Sequence, residues 1–240
     1  MARRPKTVGA RVLVVESDVA LADLITACLR SDQHAATHVL NAAQALSIGS
    51  STVFDVIVLN VFLPDCDGVA LCRQMRRSGV NRRTPVLAVA ARYSESDVVL
   101  ALEGGADAVI CQPFLPGELL WRVNGFLRRW QPAAGESADR IVVGAREIVI
   151  DVARRTVDVR DARVELTPRE FAVLVLLARN IGRVFSRRAL AVRVWGEDPD
   201  IRDRAVDIAI HRLRLQIERS PAAPTLIRTI RGRGYTLSTG

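Results

Sequence analysis

The side chains best placed to do chemistry stand just beyond short apolar runs. Glu16 and Ser17 follow Val12–Val15, Asn60 follows Val56–Leu59, Ala90 follows Val86–Val89, and Gln112 lies shortly after Ala108–Ile110. Positions at the carboxyl ends of parallel strands gather over one edge of a sheet, where α/β proteins place their pockets. Several carboxylates there would hold a hard cation and offer a nucleophilic oxygen. Here the five positions supply one carboxylate, one hydroxyl, two amides and a methyl group. Asn60 decides the chemistry, because an amide oxygen is uncharged and a poor nucleophile.

The elements that would position these residues are readable from periodicity. Between Arg11 and Trp130, short apolar runs alternate with helical spacing. Leu21, Leu24, Ile25, Cys28 and Leu29 mark the face of a first helix behind a cap at Asp18. A further strand reads at Ala35–Leu40, and helices read near Ala42–Ile48, Val69–Arg77, Ser96–Glu103 and Gly117–Arg129. Five such units over residues 8–130 predict a (βα)5 doubly wound parallel sheet. Residues 131–139 begin Gln131-Pro132-Ala133-Ala134-Gly135, with two breakers and no apolar period, and read as a flexible linker.

Residues 140–240 follow a different plan. Strand-like runs at Ile141–Val143, Ile148–Asp151, Thr156–Val159 and Val164–Leu166 precede Thr167-Pro168-Arg169-Glu170, a capping box with proline at the first helical position. An apolar helix follows over Phe171–Arg179. Ser186 caps a second helix through Val194, and a third runs from about Arg202 to Glu218. Leu226–Ile230, the turn Arg231-Gly232-Arg233-Gly234 and Tyr235–Leu237 read as a hairpin. Sheet, three helices and terminal hairpin make an α+β winged helix-turn-helix.

Charge separates the two halves. Of 240 residues, 49% are apolar, enough for two cores. Residues 1–140 are nearly neutral at net +1, whereas residues 141–240 carry net +7, the balance of a polyanion-binding unit. Every basic residue except Lys6 is arginine, whose planar fork suits phosphates and guanine edges. The apolar stretch after the basic opening is too short for a signal peptide or a membrane span, so a cytoplasmic protein is expected. Cys28, Cys66, Cys72 and Cys111 lack the spacing of a zinc site or a disulfide framework and are expected as reduced, mostly packed thiols.

Over nearly its whole length the chain resembles the OmpR/PhoB-type response regulators of bacterial two-component signalling. The resemblance rests on Val14-Val15-Glu16-Ser17-Asp18, Leu63-Pro64-Asp65 with Asp67-Gly68, Gly105-Ala106-Asp107 and Pro113-Phe114. In the second half it rests on Leu166-Thr167-Pro168-Arg169-Glu170-Phe171, Val194-Trp195-Gly196 and Arg231-Gly232-Arg233-Gly234-Tyr235. It implies a receiver, phosphorylated on aspartate in the family, joined to a domain that reads tandem half-sites in double-stranded DNA. The receiver departs from that pattern at every reacting position. Asn60 replaces the phosphoacceptor, Glu16-Ser17 the acidic pair that helps hold magnesium, Ala90 the switch hydroxyl, Gln112 the lysine and Val109 the switch aromatic. Neutralising an aspartate alone would strand a partly buried lysine, so the paired change is expected to leave two amides hydrogen-bonded to each other in a silent pocket. Asp65 and Asp67, in the next loop, are expected to cap a helix or face water rather than substitute as acceptors.

On the third effector helix, Val206, Ile210, Leu213 and Ile217 define a core face. The opposite face then offers Arg204, Ala205, Ile208, His211 and Arg212 to DNA. Arg212 suits guanine, Ala205 and Ile208 suit thymine methyls, and Arg204 and Arg214 suit phosphates. The resemblance adds Arg231 as a minor-groove arginine of the wing, beside Arg233, and puts His211 where a phosphate-contacting arginine is frequent. It also implies a homodimer through the receiver, with Asp107, Glu118 and Arg122 matching its charged interface, and an RNA polymerase contact through Trp195-Gly196-Glu197-Asp198-Pro199-Asp200. Val98 and Ala108 stand where charged partners are usual, so a more apolar interface through Val98, Val99 and Leu102 is expected. No cofactor or metal is implied, and the absence of a nucleophile–base pair or phosphate loop speaks against an enzyme. Two functions are in play: a DNA-binding regulator independent of aspartate phosphorylation, or a pseudo-receiver that senses a small molecule, a partner protein or a thiol oxidant.

Overall fold

The computed structural model describes residues 9–92, 94–130, 140–144, 147–196 and 203–239. The chain divides into two compact units, Met1–Gln131 and Pro132–Gly240.

In the first unit, strands β1 (Arg11–Val15), β2 (Ala35–Val39), β3 (Val56–Asn60), β4 (Val86–Ala90) and β5 (Ala108–Cys111) alternate with helices α1 (Val19–Ser31), α2 (Ala42–Ser51), α3 (Gly68–Arg77), α4 (Glu95–Gly104) and α5 (Pro116–Trp130). All strand pairs are parallel, in the order β2-β1-β3-β4-β5. Each of the central strands β1, β3 and β4 has neighbours on both sides, and Val12–Val15, Val56–Leu59 and Val86–Ala90 are almost fully buried, as expected of a sheet covered on both faces. Asp18, Asn41, Asp67 and Ser94 cap α1 to α4 by accepting backbone N–H groups with their side chains, which fixes where each strand-to-helix loop ends.

In the second unit, β6 (Arg140–Val143), β7 (Ile148–Asp151), β8 (Thr156–Val159) and β9 (Ala162–Val164) form an antiparallel sheet. The last strand begins two residues earlier than its apolar pattern predicts. Arg160 and Asp161 both take positive φ, the conformation of a two-residue hairpin turn, so pairing resumes at once with Val159 opposite Ala162. Helices α6 (Pro168–Ala178), α7 (Arg187–Val194) and α8 (Asp203–Ile217) lead to the hairpin β10 (Ile227–Ile230) and β11 (Gly234–Leu237). The predicted capping box at Thr167 and Glu170 is formed in both directions. Gly234 is required where the hairpin meets the α6–α7 connection, because a Cβ there would fall 1.9 Å from the Phe185 carbonyl oxygen. Among the described residues no helix is long and apolar enough to cross a membrane.

Candidate functional site

The end of β1 lies beside the end of β3, with Val15 opposite Leu59, and this register brings Glu16 against Asn60. The Asn60 Nδ2 amide donates to Glu16 Oε1 and Oε2, each at 2.8 Å, while Asn60 Oδ1 accepts from the Phe62 N–H at 2.9 Å. Only this orientation of the amide satisfies both neighbours, since a flip would set its oxygen against a carboxylate. The Asp18 N–H adds a third bond to Glu16 Oε1 at 3.0 Å. Glu16 is 1% exposed, so its charge is held in the interior by neutral donors, each such bond to a charged group contributing about 1.5–3 kcal/mol net.

The expected pairing of Asn60 with Gln112 is corrected by this geometry. Gln112 follows β5, which is separated from β3 by β4, whereas Glu16 follows the directly adjacent strand. Ser17 is half-buried, Gln112 is half-buried, and Ala90 and Val109 are buried. The pocket thus has no hydroxyl at position 90 and no cation at position 112. A magnesium ion, which family receivers hold, does not fit this donor set, because Glu16 is the one carboxylate among the five positions and the amide at position 60 supplies no second anionic oxygen. Among the described residues no cluster of three or more His, Cys, Asp or Glu side chains could hold a metal.

The loop after β3 is tied down from both sides. Asp67 Oδ1 accepts from Val69 N and caps α3. Asp65 reaches instead to the start of α2, accepting from Ala42 N and Ala43 N at 3.0 Å each, and these backbone donors, Ala42 foremost, lower its pKa. Gly68 lets the chain fold back over the strand end, since a Cβ there would lie 2.2 Å from the Asn60 carbonyl oxygen.

The face expected to dimerise is largely committed within the monomer. Val98 and Leu102 are buried, turned into the core with Ala101, so they are not surface side chains. Asp107 is 1% exposed, bonded to Arg76 Nη2 at 2.7 Å and to Val86 N at 2.9 Å. Arg122 is buried and pairs with Glu118 one turn earlier at 2.9 Å. Val99 is half-buried, and Leu100, which sequence reasoning passed over, is exposed. The four cysteines form no disulfide with one another: Cys72 is buried, and Cys28, Cys66 and Cys111 are half-buried.

On α8 the predicted core residues Val206, Ile210, Leu213 and Ile217 are all fully buried. Two residues assigned to the outer face are less exposed than that assignment expects. Ala205 is buried at 4% exposure, because the core arc is wide enough to take it beside Ala209. Arg212 has a side chain only 25% exposed and sits 3.7 Å from Glu170 at the start of α6, drawn inward by that nearly buried carboxylate. Arg204, Ile208, His211 and Leu215, at helical steps of four, three and four, form the outward stripe, with Ile208 half-buried and the rest exposed. Arg214 is bonded to the wing: its guanidinium donates to Ile227 O and Thr229 Oγ1 and lies over the Tyr235 ring. Arg231 and Arg233 are exposed in the turn.

One network escaped the sequence. Asp207 accepts from Arg187 Nε at 2.7 Å and from Tyr235 Oη at 2.6 Å, and Arg187 Nη2 donates to Tyr235 Oη at 3.1 Å. It joins α7, α8 and the wing. Burial and the Asp207 carboxylate raise the Tyr235 pKa, and the bond to Asp207 raises that of Arg187. Its members are 20 and 28 residues apart in the chain, and only a correct docking of the hairpin on α8 would have joined them. Arg183, Arg188, Arg193 and Arg228 add exposed positive charge in the same unit. Glu197–Asp200, most of the stretch expected to touch RNA polymerase, lies outside the described residues.

A five-stranded parallel receiver sheet followed by a winged helix defines a response regulator with a DNA-binding output domain. Residues 12–124 match the response regulator receiver domain and residues 161–237 the C-terminal domain of transcriptional regulatory proteins. The DNA-binding response regulator MtrA of Mycobacterium tuberculosis is 36% identical over 230 residues, 95% of this chain and 97% of that protein. The sensory transduction protein RegX3 of Mycolicibacterium smegmatis is 38% identical over 227 residues, 94% and 98% of the two chains. Among solved structures, a cysteine-to-aspartate mutant of RitR aligns with a TM-score of 0.77 at 26% identity over 97% of this chain and all of that one. DrrB, an OmpR/PhoB homologue from Thermotoga maritima, aligns with a TM-score of 0.50 at 31% identity over 96% and 99%. The chain belongs to the OmpR/PhoB-type response regulators, and it is a DNA-binding transcriptional regulator rather than an enzyme.

Proposed function

We propose that this regulator acts on DNA without phosphorylation of an aspartate in its receiver. The observation that carries the reading is the bond from the Asn60 amide to both oxygens of Glu16. The phosphoacceptor position is left without a nucleophile, and Glu16 is the one carboxylate among the five positions. Ala90 and Gln112 remove the hydroxyl and the positive charge that would read a phosphoryl group, so no single change at position 60 rebuilds the chemistry. In this reading residues 8–130 form a pseudo-receiver, 131–139 a linker and 140–240 the DNA-binding domain, working in the cytoplasm. Arg204, Ile208 and His211 face the major groove of tandem half-sites, and Arg231 and Arg233 approach the neighbouring minor groove or its phosphates. Dimerisation through the receiver then uses the exposed parts of α4 and α5, Val99, Leu100 and Glu118, rather than Val98 or Leu102. A polymerase contact through residues 195–200 belongs to the same reading.

The test is intact-mass analysis of the full chain and of Asn60→Asp after incubation with acetyl phosphate and magnesium. Neither protein should gain a phosphoryl group, and wild-type DNA binding should be unchanged by the treatment. Stoichiometric labelling of the wild type, or affinity that depends on the phosphodonor, would overturn the reading.

A further inference from the structure

Helices α3 and α4 approach closely at Gly104, where a Cβ would lie 2.5 Å from Val69 Cγ1. On the N-terminal side of that contact the space between α4 and the β3–α3 loop is not filled. It forms a partly open cavity of about 300 Å3 whose apolar wall includes Val61, Phe62, Val69 and Leu100. Its two charged lining residues are both acidic, Asp67 and Asp97, and no arginine or lysine lines it. Asp67 spends one oxygen on the α3 cap, and its Oδ2 accepts no hydrogen bond from any described residue. The Asp97 carboxylate is half-buried and likewise accepts none. Phe62 and Leu100 are 58% and 48% exposed, large apolar surfaces left uncovered beside the opening.

We propose that this cavity binds a small organic cation: an apolar, ring-sized body against Val61, Val69 and Leu100, with an ammonium-type nitrogen at Asp67 or Asp97. The volume is at the small end of the range for ligand pockets, about 300–1,000 Å3, which excludes a bulky effector. The sign follows from charge complementarity, because an anion would meet two carboxylates and no compensating cation, and a cation meets two open acceptors. Asp97 lies in the first turn of α4 and Asp67 caps α3, so both carboxylates belong to helix starts that border the opening. The site is also placed to be read. Phe62, in its wall, is hydrogen-bonded through its N–H to Asn60, and Asp65 and Asp67 fasten the same loop to α2 and α3. A ligand seated there bears on that loop and on α4 together, two elements beside the sheet edge that Asn60 leaves chemically inert.

The experiment uses the full chain with 13C-labelled leucine and valine methyls, titrated separately with 2-phenylethylammonium and 3-phenylpropionate as probes of similar shape and opposite charge. The cation is expected to shift the Val61, Val69 and Leu100 methyls saturably and to bind about tenfold more tightly than the anion. Asp97→Asn should weaken the cation about threefold and, by removing a like charge, narrow the gap between cation and anion. Leu100→Lys, at an exposed helix position, should abolish binding of the cation while the melting temperature stays near that of the wild type. Absence of saturable shifts, equal affinity for the two probes, or undiminished binding in Leu100→Lys would overturn the assignment. None of these outcomes bears on whether Asn60 can be phosphorylated, which the mass measurement decides separately.

Discussion

Asn60 donates one amide group across both oxygens of the buried Glu16 carboxylate, at 2.8 Å to each, so the phosphoacceptor position of this receiver serves as a hydrogen-bond donor. Converting it to aspartate replaces an attraction by two like charges at contact distance. Asn60→Asp should therefore destabilise the receiver by about 1–3 kcal/mol at neutral pH, the cost of leaving a buried charged group without its donor. Urea unfolding of variant and wild type at neutral pH checks this. Equal stability would mean that the Glu16–Asn60 bonds contribute nothing.

Asp65 makes the opposite case, an exposed carboxylate whose charged form is favoured by the Ala42 and Ala43 N–H groups of α2. A depressed folded-state pKa means that its contribution is present above the ordinary value of 3.8 and is lost as pH falls through the folded value. Asp65→Asn should lower stability near neutrality and remove part of the acid dependence below about pH 4. Acid unfolding followed by circular dichroism reads both effects, and superimposable curves for variant and wild type would contradict them.

Much of this fold is legible in the residue pattern because each signal involved is local. The apolar runs ending at Val15, Leu59 and Val89, the cap at Asp18 and the box from Thr167 to Glu170 all depend on neighbours within a few residues. What stays hidden depends on partners brought from elsewhere. Residue types alone pair Asn60 with Gln112, and only the strand order, which puts β1 and not β5 beside β3, gives it Glu16 instead. Ala205 carries too little hydrophobic signal to reveal that the core arc of α8 includes it, and Arg212 looks like a surface arginine until Glu170 of a different helix lies beside it. The residue types at the five pocket positions could be read from the sequence alone, whereas the bonding between Asn60 and Glu16 could not.

Tyr235 ties the wing to Asp207 and Arg187, and Tyr235→Phe keeps the ring while removing the bridging hydroxyl. A loss of about 1–2 kcal/mol in the stability of the DNA-binding unit is expected, since Asp207 and Arg187 each lose a partner. Burial and Asp207 raise the tyrosine's pKa above its ordinary 10.0, so its contribution is intact below that value and fades as pH rises through the higher folded-state value. Wild-type stability should therefore fall more steeply with alkaline pH than that of the phenylalanine variant, the two converging once the phenol is ionised. With Tyr93 as the sole other tyrosine, phenolate absorbance of Tyr93→Phe reports Tyr235 alone, and titration at its ordinary value would refute the coupling.

Arg214 and Arg231 separate two jobs that look alike in sequence. Arg214 is bonded to Ile227 O and Thr229 Oγ1 and covers the Tyr235 ring, whereas Arg231 is exposed in the hairpin turn. Arg231→Ala should leave the melting temperature unchanged, weaken binding to specific and scrambled DNA alike, and lower the slope of log affinity against log salt by about one. Arg214→Ala should instead loosen the hairpin from α8, lowering thermal stability by an amount equivalent to about 1–2 kcal/mol, with a loss of affinity that follows the misplaced wing. Fluorescence anisotropy over a salt series, paired with thermal melts of both variants, distinguishes them. If Arg214→Ala changed only the salt slope and Arg231→Ala only the melt, the two assignments would have to be exchanged.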